Sequence, residues 1–243
     1  MNAPVLDLRE PARALMPDLG ALPEALRGAC IATWRARMLN EYSSSSVFVA
    51  LGAQLDEHWG EGLGRECRTF AAEERRHGTL CGAVVEAAGG QALSALRPGP
   101  DFPAHEDAPP RARALRNVIH ICCMSETVAV ALIGAERLEM PEGALRRLLT
   151  RIWADEVGHA RFGWRLLEQS AGSLSAEERA AVERYLPTAL AHLEAHELAH
   201  LPTLDAPEGG SAFGLCSGHD GRTLFYETLD QVIRPGLRRW FRC

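Results

Sequence analysis

The sequence predicts an all-α protein: a four-helix bundle with one long crossover between two helical hairpins, followed by a fifth and a sixth helix. Three observations lead there. Ala, Leu, Glu and Arg dominate the 243 residues and are strong helix formers, whereas Val, Ile, Thr and Tyr are few. Apolar residues recur at helical spacing over long stretches. Gly and Pro gather at a small number of breaks.

Taken in order, residues 1–22 show no clear period and are expected to form an arm. Pro23 suits the first turn of a helix. Leu26, Cys30, Trp34, Met38, Phe48 and Leu51 then mark the apolar repeat of a first helix ending near Trp59 and Gly60. A second helix runs from about 62 to 88 and stops at Gly89-Gly90. Residues 91–110 contain Pro98, Pro100, Pro103, Pro109 and Pro110 and read as a connector. The third helix covers about 111–138. Met140-Pro141-Glu142-Gly143 separates it from a fourth that reaches about Ser170. Ser175 and Glu178 form a capping box for a fifth helix to about Leu201, which Pro187 is expected to kink or interrupt. A loop over 202–222 precedes a sixth helix at about 223–240. The expected organisation is a single domain, with the arm at 1–22, the bundle and its extra helix at 23–201, and the loop and last helix at 202–243 packed on it.

Composition narrows the function classes. The net charge is −6, so no basic excess argues for nucleic acid or an anionic membrane as partner. Asp7, Glu10, Asp18 and Glu24 break the N-terminal region, which does not read as a signal peptide. No stretch reads as long and apolar enough to span a membrane. Seven cysteines, irregularly spaced and without a C-x-x-C pair, suggest neither a zinc ribbon nor a four-cysteine iron site. Cys81, Cys122 and Cys123 sit in apolar helical contexts, where a free thiol behaves as a small hydrophobe. Together these predict a reducing, cytoplasmic compartment.

The chemistry gathers on the helices. Residues three apart share a helix face, so Glu74-Arg-Arg-His77 and Glu156-Val-Gly-His159 each aim a carboxylate and an imidazole the same way. The motif alone is weak, because 23 Glu and nine His placed at random give about one such pair, and three occur. Position discriminates. Glu41 and Glu74 flank the first predicted hairpin turn, and Glu126 and Glu156 flank the second, whose midpoint falls on Pro141. The connector can span ~66 Å when extended, more than the ~42 Å of a 28-residue helix, so the two hairpins can align. Four carboxylates and two imidazoles from four helices are the ligand set of di-iron and di-manganese bundles.

Two stretches carry a family resemblance. Ala72-Glu73-Glu74-Arg75-Arg76-His77-Gly78 resembles a motif of acyl-carrier-protein desaturases. Ala154-Asp155-Glu156-Val157-Gly158-His159 resembles one shared by di-iron desaturases, ribonucleotide-reductase small subunits and hydrocarbon monooxygenases. The likeness covers residues 25–170 in layout and about a dozen residues in detail. It implies the ferritin-like superfamily, with Glu41, Glu74, His77, Glu126, Glu156 and His159 as ligands, and as catalytic residues, of two Fe ions, with Mn or a mixed Mn/Fe pair as the alternative. The expected activity is O2 activation by an oxidase or oxygenase acting on a small organic substrate, with an electron donor and a second copy of the chain, in a homodimer, as candidate partners. A metal-handling role (ferroxidase, peroxide scavenger or iron store) is the alternative.

Neighbouring residues admit two readings each. Ser44 and Ser45 lie on the face of Glu41, where small side chains leave room for O2 or substrate or bond back to the helix carbonyls. Ala129 and Val130 are small on the Glu126 face, and Cys122 and Cys123 read as core. Trp34, Trp153 and Tyr42 could relay electrons but more often pack. Asp155 or Glu73 could hold a ligand histidine, given a contact across helices. A rival motif lies on the fifth helix: His196-Glu197-Leu198-Ala199-His200 has the zinc-peptidase form, and His192, His196 and His200 make one stripe. That stripe could instead supply an extra ligand, a separate surface metal site or a solvated face.

Overall fold

The computed structural model describes residues 4–60, 62–96 and 102–242. Pro98 and Pro100 of the connector, Glu61 of the first turn and Cys243 lie outside them. The chain is predominantly helical, as predicted. Its elements are β1 (Val5–Asp7), α1 (Arg9–Arg13), α2 (Glu24–Trp59), α3 (Leu63–Ala87), β2 (Leu93–Ala95), α4 (Pro110–Val118), α5 (Glu126–Glu139), α6 (Ala144–Ser170), α7 (Ala176–His200), α8 (Gly218–Thr228) and α9 (Arg234–Arg238). A π-helical segment, Ile119–Ser125, joins α4 to α5, so the two form one continuous rod. A second, Leu229–Ile233, joins α8 to α9.

α2 pairs with α3 along most of its length, and α5 pairs with α6. Two glycines let these pairs approach. A Cβ on Gly52 of α2 would meet the Gly64 carbonyl of α3 at 3.0 Å. A Cβ on Gly163 of α6 would lie 2.5 Å from the Cβ of Cys122 in the π segment. α3 also touches α6, and α2 touches α4, which brings the two pairs together around a buried centre. The core holds Trp34, Phe48, Phe162 and Phe225, all buried, with Cys30, Cys67, Cys81, Cys122 and Cys123 among them as free thiols.

Three expectations need correction. The N-terminal arm is structured: β1 pairs antiparallel with β2, matching Leu6 to Ser94, and Leu6, Leu8 and Ala12 are buried. Three inward residues, on two very short elements and the residue between them, are too few to register as a period. The connector thus contains β2 as well, and Pro110 opens α4 as its first residue rather than preceding it. Finally, one helix, Pro110–Glu139, is long and apolar enough to cross a membrane by length and composition. Glu126 is buried inside the protein, facing the carboxylate cluster described below.

Later elements agree more closely. Ser175 accepts from the Glu178 backbone and Glu178 accepts from the Ser175 backbone, so the capping box forms. Pro187 does not interrupt α7, which continues to His200. The last helical stretch starts at Gly218, five residues before the expected position, because Ser217 caps it by accepting from Asp220 N at 3.3 Å.

Candidate metal centre

The six predicted ligand residues come together. α2 supplies Glu41, α3 supplies Glu74 and His77, α5 supplies Glu126, and α6 supplies Glu156 and His159. Two groups of potential ligands form: Glu41, Glu74, His77 and Glu156, and Glu74, Glu126, Glu156 and His159. Within each group, one ligand atom per residue lies within 4.8 Å of the others. Glu74 and Glu156 belong to both, so each has a carboxylate that two cations could share.

The imidazoles are held from behind. His77 on α3 donates from Nε2 to Asp155 Oδ2 of α6 at 3.0 Å. His159 on α6 donates from Nε2 to Glu73 Oε2 of α3 at 3.0 Å. The arrangement is reciprocal: each acid immediately precedes a cluster glutamate on one helix and orients the histidine of the other. Arg76 also donates to Asp155, at 2.7 Å, and fixes that carboxylate. With Nε2 so engaged, each Nδ1 faces the cluster. His77 Nδ1 lies 3.0 Å from Glu156 Oε1 and 3.4 Å from Glu41 Oε2. Neither oxygen is placed for a hydrogen bond, so this buried atom has no hydrogen-bond partner. His159 Nδ1 lies 3.0 Å from Glu156, 3.2 Å from Glu74 and 3.7 Å from Glu126.

Burial sets the electrostatics. His77 and His159 are fully buried, and Glu74 and Glu156 nearly so, while the Glu41 side chain remains 13% exposed. Burial pushes the Glu74 carboxyl up to about 8, with the Glu156 charge adding to it. Burial likewise raises Glu126 well above the carboxylate range. Glu156 is held well below it: burial opposes its charge, but His159 and His77 outweigh that. Burial disfavours a charged His77, yet Glu156 and Glu41 raise it to about 11. His159 is raised further, against burial, by Glu126, Glu156 and Glu74. Metal-free, the site therefore holds protons to offset crowded carboxylates. Two divalent cations with neutral imidazoles would balance the four carboxylates without them. Such buried carboxylates, converging with an orphaned imidazole nitrogen, could hold metal.

Apolar rings close one side. Phe48 and Phe70 pack on His159 with ring centroids 5.0 and 4.5 Å away, and Phe162 packs edge-on to Phe70. The serines beside Glu41 bond back to their own helix: Ser44 to the Asn40 carbonyl at 3.1 Å, Ser45 to Tyr42 at 2.7 Å and Ser46 to Ser43 at 2.7 Å. Cys122 and Cys123 are buried core, Ala129 and Val130 half-buried. Trp34 is anchored by its indole N–H to the Phe213 carbonyl at 2.8 Å, and Trp153 to the Val130 carbonyl at 3.0 Å. The aromatic wall and the π segment escaped the sequence reading. Phe70, one turn before Glu74, was the available signal for the wall, whereas nothing in Ile119–Ser125 announces a π turn.

The α7 histidines stay apart from this centre. Among the described residues, His192, His196 and His200 join neither group of converging ligands, and all three are exposed. Comparison of the chain with protein-family models, with curated proteins and with solved structures gives no match.

Proposed function

We propose that this chain is a ferritin-like, two-metal carboxylate protein whose iron pair activates O2 for an oxidase or oxygenase reaction on a small organic molecule. The observation that carries this reading is the sharing of Glu74 and Glu156 between two ligand groups. A mononuclear site needs no shared carboxylates, while a bridged pair does. Four helical stretches supply one, two, one and two ligands in chain order, which is the ligand pattern of a one-crossover ferritin-like bundle.

A bound ferrous pair supplies the electrons that reduce O2. The chain's own residues do the rest. Asp155 and Glu73 keep each imidazole in the tautomer that offers Nδ1 to the cluster. Phe48, Phe70 and Phe162 exclude water on the His159 side. Glu41 and Glu126, 13% and 11% exposed, are the members of the six nearest to solvent.

One observation favours a metal-handling protein as the second reading. Two surface clefts of about 340 and 400 Å³ are lined by residues such as Asp205 and His219, and Leu19 and Pro141, and neither is lined by a cluster residue. Anaerobic loading with Fe(II) followed by O2 separates the two. An oxygenase oxidises the bound pair and then stops unless an organic substrate and reductant are present. A ferroxidase continues to oxidise added Fe(II) well beyond the bound pair, and that outcome would replace the oxygenase reading. Oxygen consumption unaffected by Glu74→Ala would defeat both.

A further inference from the structure

We propose that His120, His192 and His196 form a second metal site, for an imidazole-preferring divalent cation such as Zn2+, separate from the carboxylate pair. His192 and His196 are one turn apart on the exposed face of α7, with ring centroids 6.3 Å apart and planes only 17° from parallel. His120 reaches them from the π segment Ile119–Ser125, its ring 5.1 Å from His192 and inclined at 62°. The Nδ1 of His120 is buried and has no hydrogen-bond partner.

The three rings are neighbours whose nitrogens do not converge within 4.8 Å as they stand, so the site closes by rotation of the exposed α7 side chains. Two imidazoles on one tetrahedral cation, with metal–nitrogen bonds of about 2.0 Å, place their ring centres roughly 5 Å apart. The His120–His192 separation of 5.1 Å meets that spacing. The His192–His196 gap is wider, but both side chains are exposed and can turn through ordinary rotamers to converge. All three donors are nitrogen, which suits Zn2+, Cu2+ or Ni2+ rather than the Mn or Mg class. Burial and the neighbouring His192 keep the His120 ring neutral, down to about 4, so its lone pair is free for a cation. His200 donates from Nδ1 to the His196 carbonyl at 2.7 Å, which leaves Nε2 as its remaining donor beside the His196 ring, 4.2 Å away. The histidine stripe on α7 is thus one half of a two-element chelate whose other half, His120, lies on the rod leading into Glu126.

The test is calorimetric titration of Zn2+ into the full chain, the doubly substituted His192→Ala/His196→Ala chain and His120→Ala, with far-ultraviolet circular dichroism on each. The native chain should bind one more Zn2+ than the double variant, whose substitutions are on exposed side chains. His120→Ala should weaken that extra event on the order of tenfold. The carboxylate centre is intact in every arm, so its own affinity for Zn2+ cancels in the comparison. Equal stoichiometry in native and double variant would overturn the site. Undiminished affinity in a folded His120→Ala would reduce it to adventitious binding by a helical histidine pair and overturn it equally.

Discussion

At the scale of single residues, the account turns on which carboxylates are shared. Glu74 and Glu156 each face both halves of the cluster, Glu41 and Glu126 one half each. Glu74→Ala is therefore expected to abolish binding of both metals. Glu41→Ala should leave the half built from Glu126 and His159 partly competent, which metal analysis of dialysed protein would show. Asp155→Asn keeps the shape but removes the charge that orients His77, and should weaken metal affinity by about 10- to 100-fold without unfolding the chain. Protons add a further check. At pH 7 the metal-free His77 and Glu74 are protonated, held up to about 11 and about 8. Ligation needs both deprotonated, so metal binding should release protons and tighten as pH rises from 6 to 8. The linkage to stability has a definite sign: because the folded Glu74 value lies above the unfolded one of 4.5, its contribution is complete below pH 4.5 and lost as pH rises through about 8. Thermal melts of metal-free native and Glu74→Gln chains across that range should diverge accordingly.

At the scale of elements, the decisive contact is the approach of α6 to the π segment that positions Glu126. Gly163 has room for no Cβ, since one would sit 2.5 Å from the Cβ of Cys122 and 3.1 Å from its backbone carbonyl carbon. Gly163→Ala should destabilise the chain by about 1–3 kcal/mol and lower metal occupancy as the segment shifts, read together by melting temperature and metal analysis. A remote control is the capping box, where Ser175→Ala should cost about 1 kcal/mol and leave metal content unchanged. Legibility also divides at this scale. The long helices were readable because Leu26, Trp34, Phe48 and their like repeat over many turns, and α7 began where Ser175 and Glu178 said it would. The π turn was not readable, since a single extra residue per turn leaves no periodic trace in Ile119–Ser125. β1 and α1 were not either, being held by contacts with residues some eighty positions away.

At the scale of the whole molecule, the predicted site became legible through arithmetic on position rather than through its motif. Two of three Glu-x-x-His pairs sit opposite partner glutamates across predicted turns, and these two meet in the buried centre. The third, on α7, had no such partner and stayed at the surface. What arithmetic could not supply was the crossing contact, in which Asp155 and Glu73 each reach the histidine of the other helix. That contact depends on how α3 and α6 pack, which no local pattern encodes. Because the ligands come from four separate helical stretches, bound metal would staple elements distant in sequence, and it should raise the melting temperature with the logarithm of its concentration over the dissociation constant.

The central claim is that one buried site holds two metals through shared carboxylates. Its most direct measurement is the stoichiometry of Fe(II) bound anaerobically by the full chain, compared with the Glu156→Ala chain. The account predicts two Fe(II) per native chain and loss of both in the variant. A native chain that binds a single ion, or a folded variant that still holds two, would contradict it.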